Sequence, residues 1–276
     1  MQRKRVGLAL LTLVAAAVGL VWLVPFMGVL MSALRPQIEI LDGWWRFPMT
    51  LSLKNFIGAL THPTASLAAG LRNSLIVAVP ATIIPVFVGA LGAYGLTRFR
   101  LPITGPLMMA IALLLALPQQ MVAVPLFGMM NSVGLLDSFP GLILVHSAWA
   151  LPWILFFLRG YLLTLPRELE EAAAVDGASR YQTFFRIVLP LMFPALASVS
   201  ALQLTWAWND FFMALILIFD PDKLLATQRI PLMRGQFLVD WGMLSAAAVI
   251  TMLVPILVFV LLQRYYIQGL VGGAAK

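Results

Sequence analysis

"LRNSLIVAVPATIIPVFVGALGAYGL", Leu71–Leu96, carries Arg72 as its one charged side chain. A helix of about 20 mostly apolar residues crosses a bilayer, and five more stretches qualify: near Gly7–Ala33, Pro106–Met130, Phe139–Gly160, Leu191–Phe219 and Trp241–Leu262. The sequence therefore predicts an all-α polytopic membrane protein with six transmembrane helices, some kinked or broken, forming a single domain over 1–276. An even number of spans puts both termini on one side.

Composition agrees. With 62% hydrophobic and 11% charged residues and a mean hydropathy of +0.96, the chain falls outside ordinary soluble domains. There is no cysteine, hence no disulfide framework and no thiolate metal site. The net charge of +7 is no nucleic-acid signal, because the basic residues lie singly or in small groups between apolar runs, where membrane orientation is written.

With the N terminus inside, eleven Lys and Arg fall inside, among them Arg3, Lys4, Arg5, Arg98, Arg100, Arg264 and Lys276, and seven fall outside, including Arg35. The short loops decide: "TRFR" (97–100) has two positive charges and "NSVGLLDS" (131–138) none. Both termini are expected in the cytoplasm. The basic head and apolar body of residues 1–20 resemble a signal peptide, but the apolar run continues through "VWLVPFMGVLM", so a retained first span is expected.

The outside segment 35–70 is too long for a tight turn, and its Trp44 and Trp45 read as anchors at the membrane rim. Prolines recur within spans: Pro80 and Pro85, Pro118 and Pro125, and Pro255. Each removes a backbone donor and kinks a helix, which membranes tolerate where neighbours or a cavity satisfy the backbone. Gln119 and Gln120 directly follow Pro118; a broken transporter helix and an ordinary bundle kink fit equally.

The fourth span carries His146, Ser147, Trp149 and Trp153. Adjacent helical residues point about 100° apart, so His146 beside Ser147 is no catalytic pair, and a buried, hydrogen-bonded histidine is expected. The fifth span is the most polar. Gln203, Trp206 and Asp210 fall at i, i+3 and i+7 of one continuous helix, with Thr205 and Asn209 adjoining. An intramembrane carboxylate faces a bundle interior or wet cavity, and amides, a carboxylate and indole faces suit a polyhydroxylated solute. Asp210 as a mere helix cap or tie fits almost as well.

"PRELEEAAAVDGAS" (166–179) is a charged island that the topology puts inside. Arg167–Asp176 reads as a short helix with Glu168, Glu170 and Glu171 at its positive end and Gly177 closing it. Ser179 is placed to cap a second helix, "RYQTFFRIVL", ending at Pro190. Two short helices with a patch of alanines make a knob able to enter another protein's cleft.

"EAAAVDG" followed by "IVLP", that is Glu171, Ala172, Ala173, Gly177, Ile187, Leu189 and Pro190, resembles the EAA signature of permease subunits of binding-protein-dependent ATP-binding-cassette (ABC) importers. "NSLIVAV", "AYGLTRFRLP", "LPQQMVAVPLF", "GLLDS", "WNDFF" and the tail "QRYYIQGLVGGAAK" are similar to the carbohydrate-importing branch, the six-span maltose permease type. Such tails usually continue to a glycine after the lysine, and this one stops at Lys276, which leaves its role at the ATPase open.

The resemblance implies a permease for a sugar or related polyol in a prokaryotic cytoplasmic (inner) membrane. Residues 161–190 would be its cytoplasmic coupling loop, docking in a groove of the nucleotide-binding ATPase. Glu168, Glu171 and Asp176 would supply charge, with Glu171 pairing there; Ala172 and Ala173 would fill the contact, and Gly177 would permit the turn. Gln203, Trp206, Asn209 and Asp210 would line the path, and 220–240 would face the solute-binding protein. A second permease, in a heterodimer, is implied. No G-x-x-x-x-G-K-[ST] loop occurs, so ATP and magnesium are expected on the partner, with no catalytic residue or metal here. The competing readings are an ion-coupled secondary transporter using Asp210 and, less well matched, an intramembrane hydrolase using His146.

Overall fold

The computed structural model describes residues 2–43, 46, 50–99, 101–235 and 239–274. Trp44, Trp45, Arg100 and Lys276 lie outside the described residues, as do the side chains of Arg3, Lys4, Arg5, Arg264 and the C-terminal tail. Among the described residues there is no strand. The chain runs through α1 (Gln2–Ala33), α2 (Leu67–Ala78), α3 (Pro80–Arg98), α4 (Thr104–Leu115), α5 (Ala123–Ser132), α6 (Phe139–Leu162), α7 (Glu168–Val175), α8 (Arg180–Leu191), α9 (Phe193–Asn209), α10 (Phe212–Leu217), α11 (Ala226–Leu232) and α12 (Trp241–Ala274). Two further short helices, Gln37–Leu41 and Lys54–Leu60, follow α1.

Four stretches are long and apolar enough to cross a membrane: Leu10–Ala33, Leu67–Arg98, Phe139–Leu162 and Trp241–Gln263. The other two spans are bent pairs, α4 with Gln119–Ser132 at 97° and α8 with α9 at 70°. The first bend lies at Pro118 (φ −66°, ψ 135°), which leads into a 3₁₀ turn over Gln119–Val122. Its missing N–H and the extended backbone it imposes on its predecessor stop α4. Pro125 sits in the first turn of α5, where an N–H has no helical partner anyway, and it breaks nothing.

The fifth span departs from the expected continuous helix over 191–219. α8 runs on to Leu191 instead of stopping at Pro190, because residues 184–188 widen into a π-helical turn that accommodates a proline unable to bond the Arg186 carbonyl. α9 ends at Asn209, and Asp210 is extended (φ −64°, ψ 128°). Asp210 is therefore no i+7 member of a helical face: an aspartate side chain competes for nearby backbone N–H groups and favours caps over helix interiors.

The chain forms two compact units. In the first, residues 1–68 and 229–253, the guanidinium of Arg35 is buried and donates to the carbonyls of Met31, Gly43 and Arg46 at 3.3, 3.3 and 2.8 Å. This charge, counted above as an orientation signal, organises the segment that follows α1. Asn55 donates to Ala33 and Arg35 carbonyls at 3.0 and 2.8 Å. Gln37 donates to the Val239 carbonyl at 2.7 Å and accepts from the Trp241 amide at 2.9 Å.

In the second unit, residues 69–228 and 254–276, α3 and α6 lie against each other across small residues. A Cβ on Gly89 would meet Ile154 Cγ2 at 2.8 Å and one on Gly92 would meet Leu155 Cδ1 at 3.1 Å, the close approach by which helices associate without a hydrophobic drive. Ala90, Ala93, Ile154, Leu158, Phe184 and Val188 form the core there. Pro85 cannot donate to the Ala81 carbonyl four residues back, and Gln203 of α9 does so instead, Nε2 to O at 3.2 Å. On α2, Asn73 donates to the carbonyls of Asp222 and Leu224 at 2.7 and 3.1 Å, and Ser74 Oγ accepts from the Ala226 amide at 3.0 Å.

Candidate functional site

Two places in the second unit carry the sequence-predicted residues. The first is the knob formed by α7 and the start of α8. α7 closes with paired bonds, Ala178 N–H to the Ala173 carbonyl at 2.9 Å and Gly177 N–H to the Ala174 carbonyl at 3.1 Å, with Gly177 left-handed at φ +81°. This is a Schellman closure, for which glycine suits because it has no Cβ to resist that conformation. The next residue begins another cap: Ser179 Oγ accepts from the Gln182 amide at 3.3 Å and Gln182 Oε1 from the Ser179 amide at 2.8 Å, a capping box.

The knob is seated on the end of α3. Arg98 Nε donates to Glu170 Oε1 at 2.6 Å, with both side chains largely buried, and Tyr94 Oη donates to Glu170 Oε2 at 3.3 Å. Arg167 donates to the Thr97 carbonyl at 3.2 Å, and the Arg180 guanidinium lies 4.7 Å from the Phe99 ring centroid.

Helical spacing thus divides the acidic cluster. Glu170 and Ala173 point into the chain, whereas Glu168, Glu171 and Ala172 are exposed, as are Asp176 and Gly177 beyond the helix end. Ala173, expected to fill a partner contact, is 8% exposed, its face taken by its own chain. Val175, passed over in the sequence, is 88% exposed and lies on the open face with Glu168, Glu171 and Ala172 at i, i+3, i+4 and i+7.

The second place is a cleft of about 540 Å³ between α4, α6 and α9. It brings together Gln203, Trp206, Asn209 and Asp210 and adds Gln119, His146, Trp149 and Trp153. Gln120 is not among the lining residues. The rings of Trp153 and Trp206 meet edge-on, centroids 4.9 Å apart at 64°. Asp210 accepts from the Met213 and Ala214 amides at 3.4 and 3.0 Å, capping α10, while its own carbonyl accepts from Thr227 Oγ1 at 2.7 Å. Cap and cleft wall are one residue. His146 is buried, but it is not the satisfied histidine expected: Nε2 has no hydrogen-bond partner among the described residues and lies 3.6 Å from Asp210 Oδ2.

Outside these sites, the "GLLDS" turn joins the loop after α10. Asp137, left-handed at φ +54°, accepts through Oδ1 from the Phe219 and Asp220 amides at 2.9 and 3.1 Å. Lys223 Nζ lies 3.5 Å from Asp137 Oδ2 and 3.2 Å from Asp220 Oδ2. Burial pushes the Asp137 carboxyl up, but those amides and the Lys223 ammonium more than offset it and hold the group below its ordinary value.

Residues 86–271 match the family described as "Binding-protein-dependent transport system inner membrane component". A "probable ABC transporter permease protein" of Pyrococcus horikoshii is 54% identical over 96% of either chain. The trehalose transport system permease protein of Mycobacterium tuberculosis is 34% identical over 92% of each. A crystal structure of a bacterial ABC transporter involved in alginate import contains a chain of the same fold, with a TM-score of 0.83 and 20% identity over 96% of this chain and 98% of that one. None of these relatives supports ion-coupled transport through Asp210 or an intramembrane hydrolase. With two thirds of its length matched by the family and a relative identical at more than half its positions, this multi-pass chain is a transport permease, not an enzyme, and belongs to the binding-protein-dependent transport system inner membrane components.

Proposed function

We propose that the chain is one transmembrane subunit of an ATP-driven importer for a sugar or related polyol, working in a prokaryotic cytoplasmic membrane with both termini inside. Its partners are nucleotide-binding ATPase subunits, which hold ATP and magnesium, a second permease in a heterodimer, and an external solute-binding protein. The sugar reading is supported by the relatives, among them one named for trehalose, and by the indole- and amide-lined cleft.

The observation that carries the coupling role is the knob's two-sided chemistry. Glu170 anchors it inward to Arg98, while Glu168, Glu171, Ala172 and Val175 form an open face. Small and apolar side chains let that face enter a groove, and the carboxylates fix register by pairing with basic groups there. ATP-driven approach of the ATPase subunits displaces the knob, and the bundle exchanges inward for outward opening; solute shifts that exchange by binding the two states differently.

The chain has no cysteine, so Val175→Cys supplies a lone thiol. In membranes of the assembled complex it should form a disulfide with single cysteines in the ATPase groove, in a yield that changes with ATP. Cross-linking to external solute-binding protein instead, or none to the ATPase, would overturn the proposal.

A further inference from the structure

Four features of the cleft converge on one class of ligand. Trp153 Nε1 and His146 Nε2 are buried and have no hydrogen-bond partner among the described residues; the His146 side chain is 9% exposed, and both residues line the cleft. Native interiors rarely leave such groups unmet. Pro152 has no N–H for the Ala148 carbonyl, and Ala148 is an exposed lining residue. Trp206 presents an indole that is 56% exposed at its edge-on contact with Trp153. Among the described residues no Lys or Arg lines the cleft, and Asp210 is its one carboxylate.

We infer that this cleft is a subsite of the permease itself for a neutral, hydroxylated ring, and that it discriminates against uronates and phosphate esters. The inference rests on the reading of the chain as an importer permease and narrows its cargo. A pyranose has apolar C–H faces that lie against indole and hydroxyls that both donate and accept. Trp153 Nε1 donates to a ring hydroxyl; the Ala148 carbonyl and Asp210 accept; His146 Nε2 takes whichever role its tautomer leaves. An anionic sugar would need a guanidinium or ammonium to replace its lost hydration, and here it meets a carboxylate. The volume of about 540 Å³ lies within the roughly 300–1,000 Å³ of small-molecule sites.

The test uses the permease pair with its ATPase in nanodiscs, without solute-binding protein, so that selection by the latter is absent. Saturation-transfer NMR compares methyl α-D-glucoside with D-glucuronate, a pair differing chiefly at a ring carboxylate. Transfer to the glucoside is expected, reduced about three- to tenfold by Trp153→Phe, which removes the N–H and keeps a ring, and by Trp206→Ala. Transfer to glucuronate is expected to be weaker and to rise in Asp210→Asn. Equal transfer to both probes, no transfer to the glucoside, or transfer indifferent to both tryptophan variants overturns the inference. ATP-driven sugar uptake by the complete complex is measured alongside: if uptake persists while the NMR fails, the subsite alone is wrong, and if no sugar is taken up, the importer reading falls first.

Discussion

Arg98 and Glu170 close a 2.6 Å ion pair between the last turn of α3 and the third residue of α7, so the knob is fastened to the second span as well as continuous with the fourth and fifth. A displacement at α7 is therefore delivered to α3 through a charged bond, with Tyr94 holding the other oxygen.

Removing one partner leaves the other charge largely buried and unpaired, which costs about 3 kcal/mol. Glu170→Ala should loosen the knob and abolish uptake, with faster proteolysis between residues 166 and 180 and normal membrane insertion. Glu171→Ala, on the open face, should leave proteolysis unchanged and weaken only ATPase assembly. Identical behaviour of the two variants would contradict the division of the acidic cluster.

Among the described residues nothing lies within 4 Å of the position a Cβ on Gly177 would take, so its requirement is conformational. Gly177→Ala should cost about 1–2 kcal/mol and reduce cross-linking from Val175→Cys, whereas Gly177→Asn, which tolerates the left-handed region, should retain most of it.

The Gln203 bond to the Ala81 carbonyl is a repair for Pro85. Gln203→Met should lower thermal stability in detergent by about 0.6–1.7 kcal/mol. In a Pro85→Ala background, residue 85 can donate to Ala81 and the same substitution should cost less. A double-mutant cycle with coupling near zero would show the two positions to be independent.

Asp137 titrates below its ordinary value in the folded chain, so its contribution is complete above the unfolded carboxylate pKa of about 3.9 and is lost as pH falls through the depressed folded value. Protection of the Phe219 and Asp220 amides against hydrogen exchange should fall over that acidic window and be insensitive to pH between 5 and 8. Asp137→Asn should remove the acid dependence.

The six spans were legible because a run such as Leu71–Leu96 has only one stable home, and Pro118 marked its own break. The fifth span was misjudged as one continuous helix because hydropathy is blind to capping, although the alternative reading of Asp210 as a cap holds: it takes two amides of the next helix. The knob's helices, glycine and caps were readable from turn chemistry, but which acid faced inward was not, since that depended on Arg98, 72 residues away. His146 was correctly seen as buried and wrongly assumed satisfied, because partners across a cleft leave no trace in local spacing. Helical periodicity alone could have found Val175, four residues after Glu171.

The two caps of the knob leave nothing between them: α7 is closed through Ala178 and the next cap begins at Ser179. The joint has no slack, and a residue inserted there would break the closure of α7 or the cap of α8. Asp176 to Ser179 is in that sense a fixed elbow, a four-residue fitting that protein engineers could graft between two helices whose mutual angle must not drift.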